Sequence, residues 1–181
     1  MALPTSGFEK LFSREPWVNG IRSNNCYAYA MNDFQGYRLH KSIPGNRSGL
    51  SNLPHTYTHC KDLKRRLLSD NPGRVYATKP KTKCKSGFYK IMMFVAPKTS
   101  NGKSVNYGDF HFYKQHNEVR YKVKVGDTMT SIAKFFDVPV SRIRRSFIGT
   151  LKPKTFIRFK VNIFSHKLGW ATGPLLTDSC G

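Results

Sequence analysis

Residues 120–160 constrain the fold more tightly than any other part of this chain. Arg120-Tyr121-Lys122-Val123-Lys124-Val125 alternates as a strand, Gly126-Asp127-Thr128 turns it, and Ile132, Phe135 and Phe136 fall at core spacing in a helix over 131–136. Val138-Pro139-Val140-Ser141 leads into a second helix over 142–146, and Thr155-Phe156-Ile157-Arg158-Phe159 returns as a strand. The result is a small closed βααβ module. Its logic is local: Gly126 admits the tight turn, Asp127 and Thr128 cap the helix, and the apolar positions fill a miniature core.

Residues 1–23 mix Pro4, Pro16, Gly7 and Gly20 with aromatics and predict an irregular lead-in strapped across the domain. Asn24-Asn25-Cys26-Tyr27-Ala28-Tyr29-Ala30-Met31-Asn32 predicts a short buried helix beginning at about Cys26, with an Asn cap in front. A long loop over 35–57 leads to Thr58, placed to cap a helix over 59–69 that stops at Asn71-Pro72-Gly73. Strand periodicity follows over 88–96, ended by Pro97, then over 109–115 after Gly108, and again over 161–166 before the turn Lys167-Leu168-Gly169. Alternation puts Asp109, His111 and Tyr113 on one face of the second strand and Phe110 and Phe112 on the other.

The formal net charge of +21 is concentrated: residues 61–90 hold 10 basic and 2 acidic side chains, and residues 119–160 hold 11 and 2. Such fields attract polyanions, whether nucleic acid, acidic wall polymers or an acidic protein surface. No base-reading pattern accompanies the lysines, so nucleic acid would be held non-specifically, through phosphates. With 39% hydrophobic residues the chain can bury a real core, which excludes a disordered basic tail. Apolar runs such as 91–96 are far short of the roughly 20 residues needed to span a bilayer, and residues 1–10 show no signal-peptide h-region. The four cysteines have no metal-ligand spacing, so no metal or other cofactor is expected. Cys60 and Cys84, on either side of a basic segment, could close a disulfide in an oxidising setting.

Cys26 is the first candidate for chemistry, because the unpaired N–H groups at a helix N-terminus favour thiolate over thiol. A thiolate nucleophile needs an imidazole to hold it and to protonate the leaving group, and His111 on a downstream strand is a suitable partner. Three ordered segments carry a resemblance: Asn24-Asn25-Cys26-Tyr27-Ala28-Tyr29-Ala30, Asp109-Phe110-His111-Phe112-Tyr113-Lys114-Gln115 and Phe164-Ser165-His166-Lys167-Leu168-Gly169. They resemble the motifs N-N-C-Y-x-Y-A, D-x-H-x-Y-R-Q and W-S-H-K-P-G of small papain-like proteins that look like distant relatives of NlpC-type cell-wall peptidases. The closing Asp178-Ser179-Cys180-Gly181 resembles that family's D-x-S-G. The resemblance implies Cys26 as nucleophile, His111 as general base and His166 as the residue that orients it. Asp109 rivals His166 for that third role, and Asn24 or Asn25 could offer an amide to an oxyanion. Lys114, Phe164 and Leu168 replace the family's Arg, Trp and Pro. His40, His55, His59 and His116 read as surface residues.

The 123–140 segment, with Val125-Gly126-Asp127-Thr128-Met129-Thr130-Ser131-Ile132-Ala133 at its centre, resembles a second family, the lysin motif or LysM domain. That resemblance implies binding of N-acetylglucosamine-containing glycans in a shallow groove formed by Gly126, Asp127, Thr128, Met129 and Thr130 with Ile148, Gly149, Thr150 and Leu151. The second half departs from the pattern: Arg144-Arg145-Ser146-Phe147 stands where the family has Asn, and Pro153-Lys154-Thr155 replaces P-G-Q.

The expected fold is therefore α+β, a papain-like antiparallel sheet with an N-terminal helix, interrupted by a LysM-like insertion. Residues 1–118 form the first part of the host domain, 119–160 the insertion, and 161–181 the final strand and tail. The leading functional expectation is a cysteine peptidase or amidase acting on cell-wall glycopeptide and tethered by its glycan-binding module. The rival is a non-catalytic minor capsid or virion component that docks on capsid proteins through basic modules, and a third reading is non-specific nucleic-acid binding. The corresponding locations are the cell wall or a virion.

Overall fold

In the computed structural model of the chain, residues 3–35, 42–50, 59–96, 99–100, 105–106 and 108–176 are described. A single 3-10 turn, Ile21–Ser23, precedes α1 (Cys26–Ala30) and α2 (Cys60–Asp70); then come β1 (Ile91–Ala96), the short β2 (Thr99–Ser100) and β3 (Val105–Asn106), and β4 (Asp109–Lys122). Next are α3 (Met129–Phe135), α4 (Val140–Ser146), β5 (Phe156–Lys167) and β6 (Pro174–Leu175). The main sheet is antiparallel with strand order β1-β4-β5-β6, and β2 and β3 form a separate pair. The described fold is thus α+β.

α1 begins at Cys26, as expected. The Asn25 side chain accepts from the Ala28 N–H at 3.0 Å, and all five helical residues are buried. So short a helix is not stable by itself, and packing against β4 holds it. α2 presents Leu63 and Leu67 to the same core and ends at Asn71, whose amide donates to the Leu67 carbonyl. The residue before α2 is His59, which makes no side-chain cap; the cap expected from Thr58 lies outside the described residues.

The sequence reading divides the sheet into short strands, whereas the structure joins them. The segments predicted over 109–115 and 120–125 are one strand, β4, and those over 155–159 and 161–166 are another, β5. The expected host and insertion therefore share their two longest strands. Both expected boundaries, 118/119 and 160/161, fall beside one β-bulge, where His116 pairs with Ile163 but Glu118 pairs with Lys160, inside the continuous strands β4 and β5. The bulge resets the pleat: before it Phe110, Phe112, Lys114 and His116 are buried, and beyond it Val119 and Val123 are. One face of the long hairpin thus carries two apolar cores. The first gathers Cys26, Tyr27, Leu63, Leu67, Phe110 and Phe112, and the second Val119, Ile132, Phe136, Ile143, Ile157 and Phe159.

The lead-in does strap across the domain. Phe12 bridges Val119 in parallel, its N–H donating to the Glu118 carbonyl at 2.8 Å and its carbonyl accepting from Arg120 N–H at 2.9 Å. Its ring fills the second core and meets His116 edge-on.

Candidate functional site

Cys26 opens α1, is 5% exposed, and faces the Phe110 carbonyl with its sulfur 3.8 Å away. The next residue is His111. Because side chains alternate along β4, Phe110 and Phe112 pack into the core that holds Cys26, while His111 and Tyr113 point to the other face. The Cys26 sulfur thus meets the backbone of the residue that precedes His111. Along this stretch β4 pairs with β1, Phe110 opposite Val95 and His111 opposite Phe94, and the β4–β5 register includes Tyr113 opposite His166.

His111 and His166 are brought together: Nε2 of the first lies 2.7 Å from Nδ1 of the second. The His166 ring, fully buried, stacks on Tyr113 with centroids 4.8 Å apart, and crosses His111 almost at right angles. Asp109 is exposed and caps its own strand, accepting from the Phe110 N–H at 2.8 Å. The amides of Asn24 and Asn25 serve the backbone. Asn24 donates to the Gly20 carbonyl and accepts from Gln35 N–H, and Asn25 donates to the Ser42 carbonyl while capping α1.

Two buried groups were missed in the sequence. His116, read there as a surface residue, is wholly buried beneath the Phe12 strap. Its Nδ1 meets the Lys10 carbonyl at 2.6 Å, so that nitrogen carries the proton and Nε2 accepts from the Ser165 hydroxyl, also at 2.6 Å. Ser165 in turn accepts from Tyr29 at 2.5 Å. Burial, reinforced by the nearby Lys114 ammonium and opposed by the Lys10 carbonyl, brings the imidazole down to about 3. The missed signal was the alternation itself, which continues from Phe110 and Phe112 through Lys114 to His116.

Lys167 is the second. It is fully buried, and its ammonium donates to the Ile21 carbonyl at 2.8 Å and to that of Gly169. It thereby pins the turn that leads into Cys26. Burial lowers its pKa to about 8, and the neighbouring Cys26 pulls the other way. Lys114 lies 3.9 Å from the centroid of the Tyr29 ring and is lowered to about 7 by burial and then by Lys10.

Cys60 and Cys84, whose spacing allowed a disulfide, are unbridged thiols: Cys60 is exposed at the start of α2 and Cys84 is buried. His59 is exposed. His40, His55 and the closing 178–181 segment lie outside the described residues.

In the βααβ segment, Gly126 has a φ of +84° with open space around it, so backbone conformation rather than crowding calls for glycine. Thr128 caps α3 in a reciprocal capping box with Ser131. Asp127 does not cap the helix as expected. Its carboxylate accepts from Lys124 N–H at 2.6 Å and from the Tyr121 hydroxyl at 2.9 Å, closing the turn itself. Burial and this carboxylate hold Tyr121 up at about 12. The module is closed by Lys154 N–H to Val123 carbonyl and Val123 N–H to Thr155 carbonyl bonds. The loop before β5 exposes Ile148 (96%), Gly149 and Thr150, while Leu151 packs on the core; Val125, beside the first loop, is 86% exposed.

Residues 121–146 match the LysM domain family. No curated protein and no solved structure matches the chain. Among the described residues, no helix is long and apolar enough to cross a membrane.

Proposed function

We propose that this chain binds an N-acetylglucosamine-containing glycan of the cell-wall type through the groove between 126–130 and 148–151. The observation that carries the reading is the LysM match over 121–146, joined to a loop surface on which Ile148 and Val125 stand exposed. Exposed aliphatic groups beside polar loop atoms suit a sugar, whose ring offers an apolar face and a rim of hydroxyls. A cell-wall location follows from that ligand. The eleven cations of residues 119–160 add attraction to acidic polymer, which salt removes. The test is retention on insoluble peptidoglycan and on chitin, repeated in about 1 M NaCl, where the Debye length is about 3 Å. Retention in high salt supports glycan recognition. Complete release reduces the module to a basic docking surface, the arrangement expected of a particle component.

A second reading, a cysteine peptidase or amidase, is favoured by Cys26 at the start of α1 and by the His111–His166 contact. In it the Cys26 thiolate attacks a carbonyl, His111 transfers the proton to the leaving group, and His166 fixes the tautomer of His111. Lys167, buried beside Cys26, supplies positive charge that stabilises the thiolate. The glycan module would then hold the reacting group close to its polymer.

A further inference from the structure

A cavity of about 670 Å³ opens between α2, the 73–78 segment and the start of β1. Neither Cys26, His111, His166 nor any residue of 121–146 lines it, so it is separate from the surfaces discussed above. Its apolar wall includes Leu67, Leu68, Val75, Phe88, Ile91 and Met93. Four cations also line it, Lys10, Lys64, Arg74 and Lys90, with no carboxylate among its lining residues. Among the described residues none of the four forms an ion pair. Lys10, Lys64 and Arg74 are exposed, whereas Lys90 is 4% exposed, its ammonium donating to the Thr82 carbonyl at 2.8 Å. A carbonyl dipole satisfies a donor but does not neutralise a buried charge. The four cations carry charge of one sign, so an anion entering the cavity is attracted by each of them.

We propose that this cavity binds an amphipathic anion, with a carboxylate or phosphate head held by Lys10, Lys64, Arg74 and Lys90 and an aliphatic body lying against Leu67, Ile91 and Met93. A free anion such as phosphate would leave the apolar wall in water, and a neutral aliphatic molecule would leave the cations unmatched. Both halves of the lining are used only by a ligand that has both. Cys84 lines the same cavity as an unbridged, buried thiol and so reports on occupancy.

The experiment is calorimetric titration of the full chain with decanoate and with decyl phosphate below their micellar concentrations, beside 1-decanol, acetate and inorganic phosphate. Saturable binding of either amphiphile at one per chain, at least tenfold tighter than decanol or the bare head groups, is expected. A Lys64→Ala, Arg74→Ala double variant should weaken it at least tenfold with an unchanged melting temperature, since both side chains are exposed. Bound amphiphile should slow iodoacetamide labelling of Cys84 several-fold and leave Cys60 unchanged. Absence of saturable binding, decanol or a bare anion binding as tightly, an unaffected double variant, or Cys84 labelled at the same rate would each overturn the proposal.

Discussion

His111 and His166 touch through Nε2 and Nδ1 at 2.7 Å although they are not cross-strand partners: His166 lies opposite Tyr113, and His111 reaches it diagonally. Diagonal neighbours on a sheet are roughly 7–8 Å apart at their backbones, a gap that two rings can bridge. The stack of Tyr113 on His166 fixes one ring and leaves the other to turn toward it. An imidazole held this way has a defined tautomer, which the hydrolase reading needs.

That reading makes Cys26 of the reduced protein react with iodoacetamide near pH 7 faster than Cys60, although Cys60 is the more exposed. His111→Ala should slow Cys26 at least tenfold, and His166→Phe, which keeps a ring against Tyr113 but removes Nδ1, several-fold. Peptide-level mass spectrometry gives both rates in one sample. Equal, slow labelling of Cys26 in all three proteins would leave its thiol a packing group.

At the proposed glycan groove, Val125→Ser with Ile148→Ser should cut high-salt retention on peptidoglycan or chitin about tenfold, the loss of about 1.4 kcal/mol of apolar contact. Melting temperatures should not move, because both side chains are almost wholly exposed in the unliganded protein. Unchanged retention would place the sugar elsewhere.

The buried bases set the pH dependence. His116 is held at about 3 against an ordinary 6.5, so the unfolded chain binds a proton below pH 6.5 that the folded chain refuses. Its contribution is whole above pH 6.5 and falls with acid at up to about 1.4 kcal/mol per pH unit until about pH 3. Lys114, lowered from 10.5 to about 7, acts in a higher window: between those values the folded chain sheds a proton the unfolded chain keeps, so stability rises with pH. Urea unfolding from pH 4 to pH 10 should show both slopes. His116→Gln should flatten the acidic one, and Lys114→Met should reduce the alkaline one to the part between about pH 8 and 10.5 that Lys167 supplies.

Because β4 and β5 run through both cores, damage to one should be felt in the other. Ile143→Ala, at a fully buried site in the second core, should cost about 2–5 kcal/mol. In a Trp170→Phe background the fluorescence of Trp17, buried against Tyr29, should report unfolding at the same lowered denaturant midpoint as far-ultraviolet circular dichroism. Two separate transitions would show the βααβ segment to be an independent domain.

The sequence by itself determined whatever depends on neighbours within a few positions. The Asn25 cap on α1, the Thr128 and Ser131 capping box and the left-handed turn at Gly126 are each settled by adjacent residues, so the βααβ unit was legible at once. Tertiary structure alone decided how those pieces join. A one-residue shift in the β4–β5 register, with 161–162 opposite 117, lets both strands serve two cores, and no local pattern marks it, because its cause is the pairing of strands some forty residues apart. The burial of Lys167 and the diagonal His111–His166 contact arise in the same way, while for His116 the alternation from Phe110 gives the face and only the rest of the chain gives the cover. Burial is a property of what the rest of the chain lays over a residue, and for His116 that cover is a strap from the other end of the sequence.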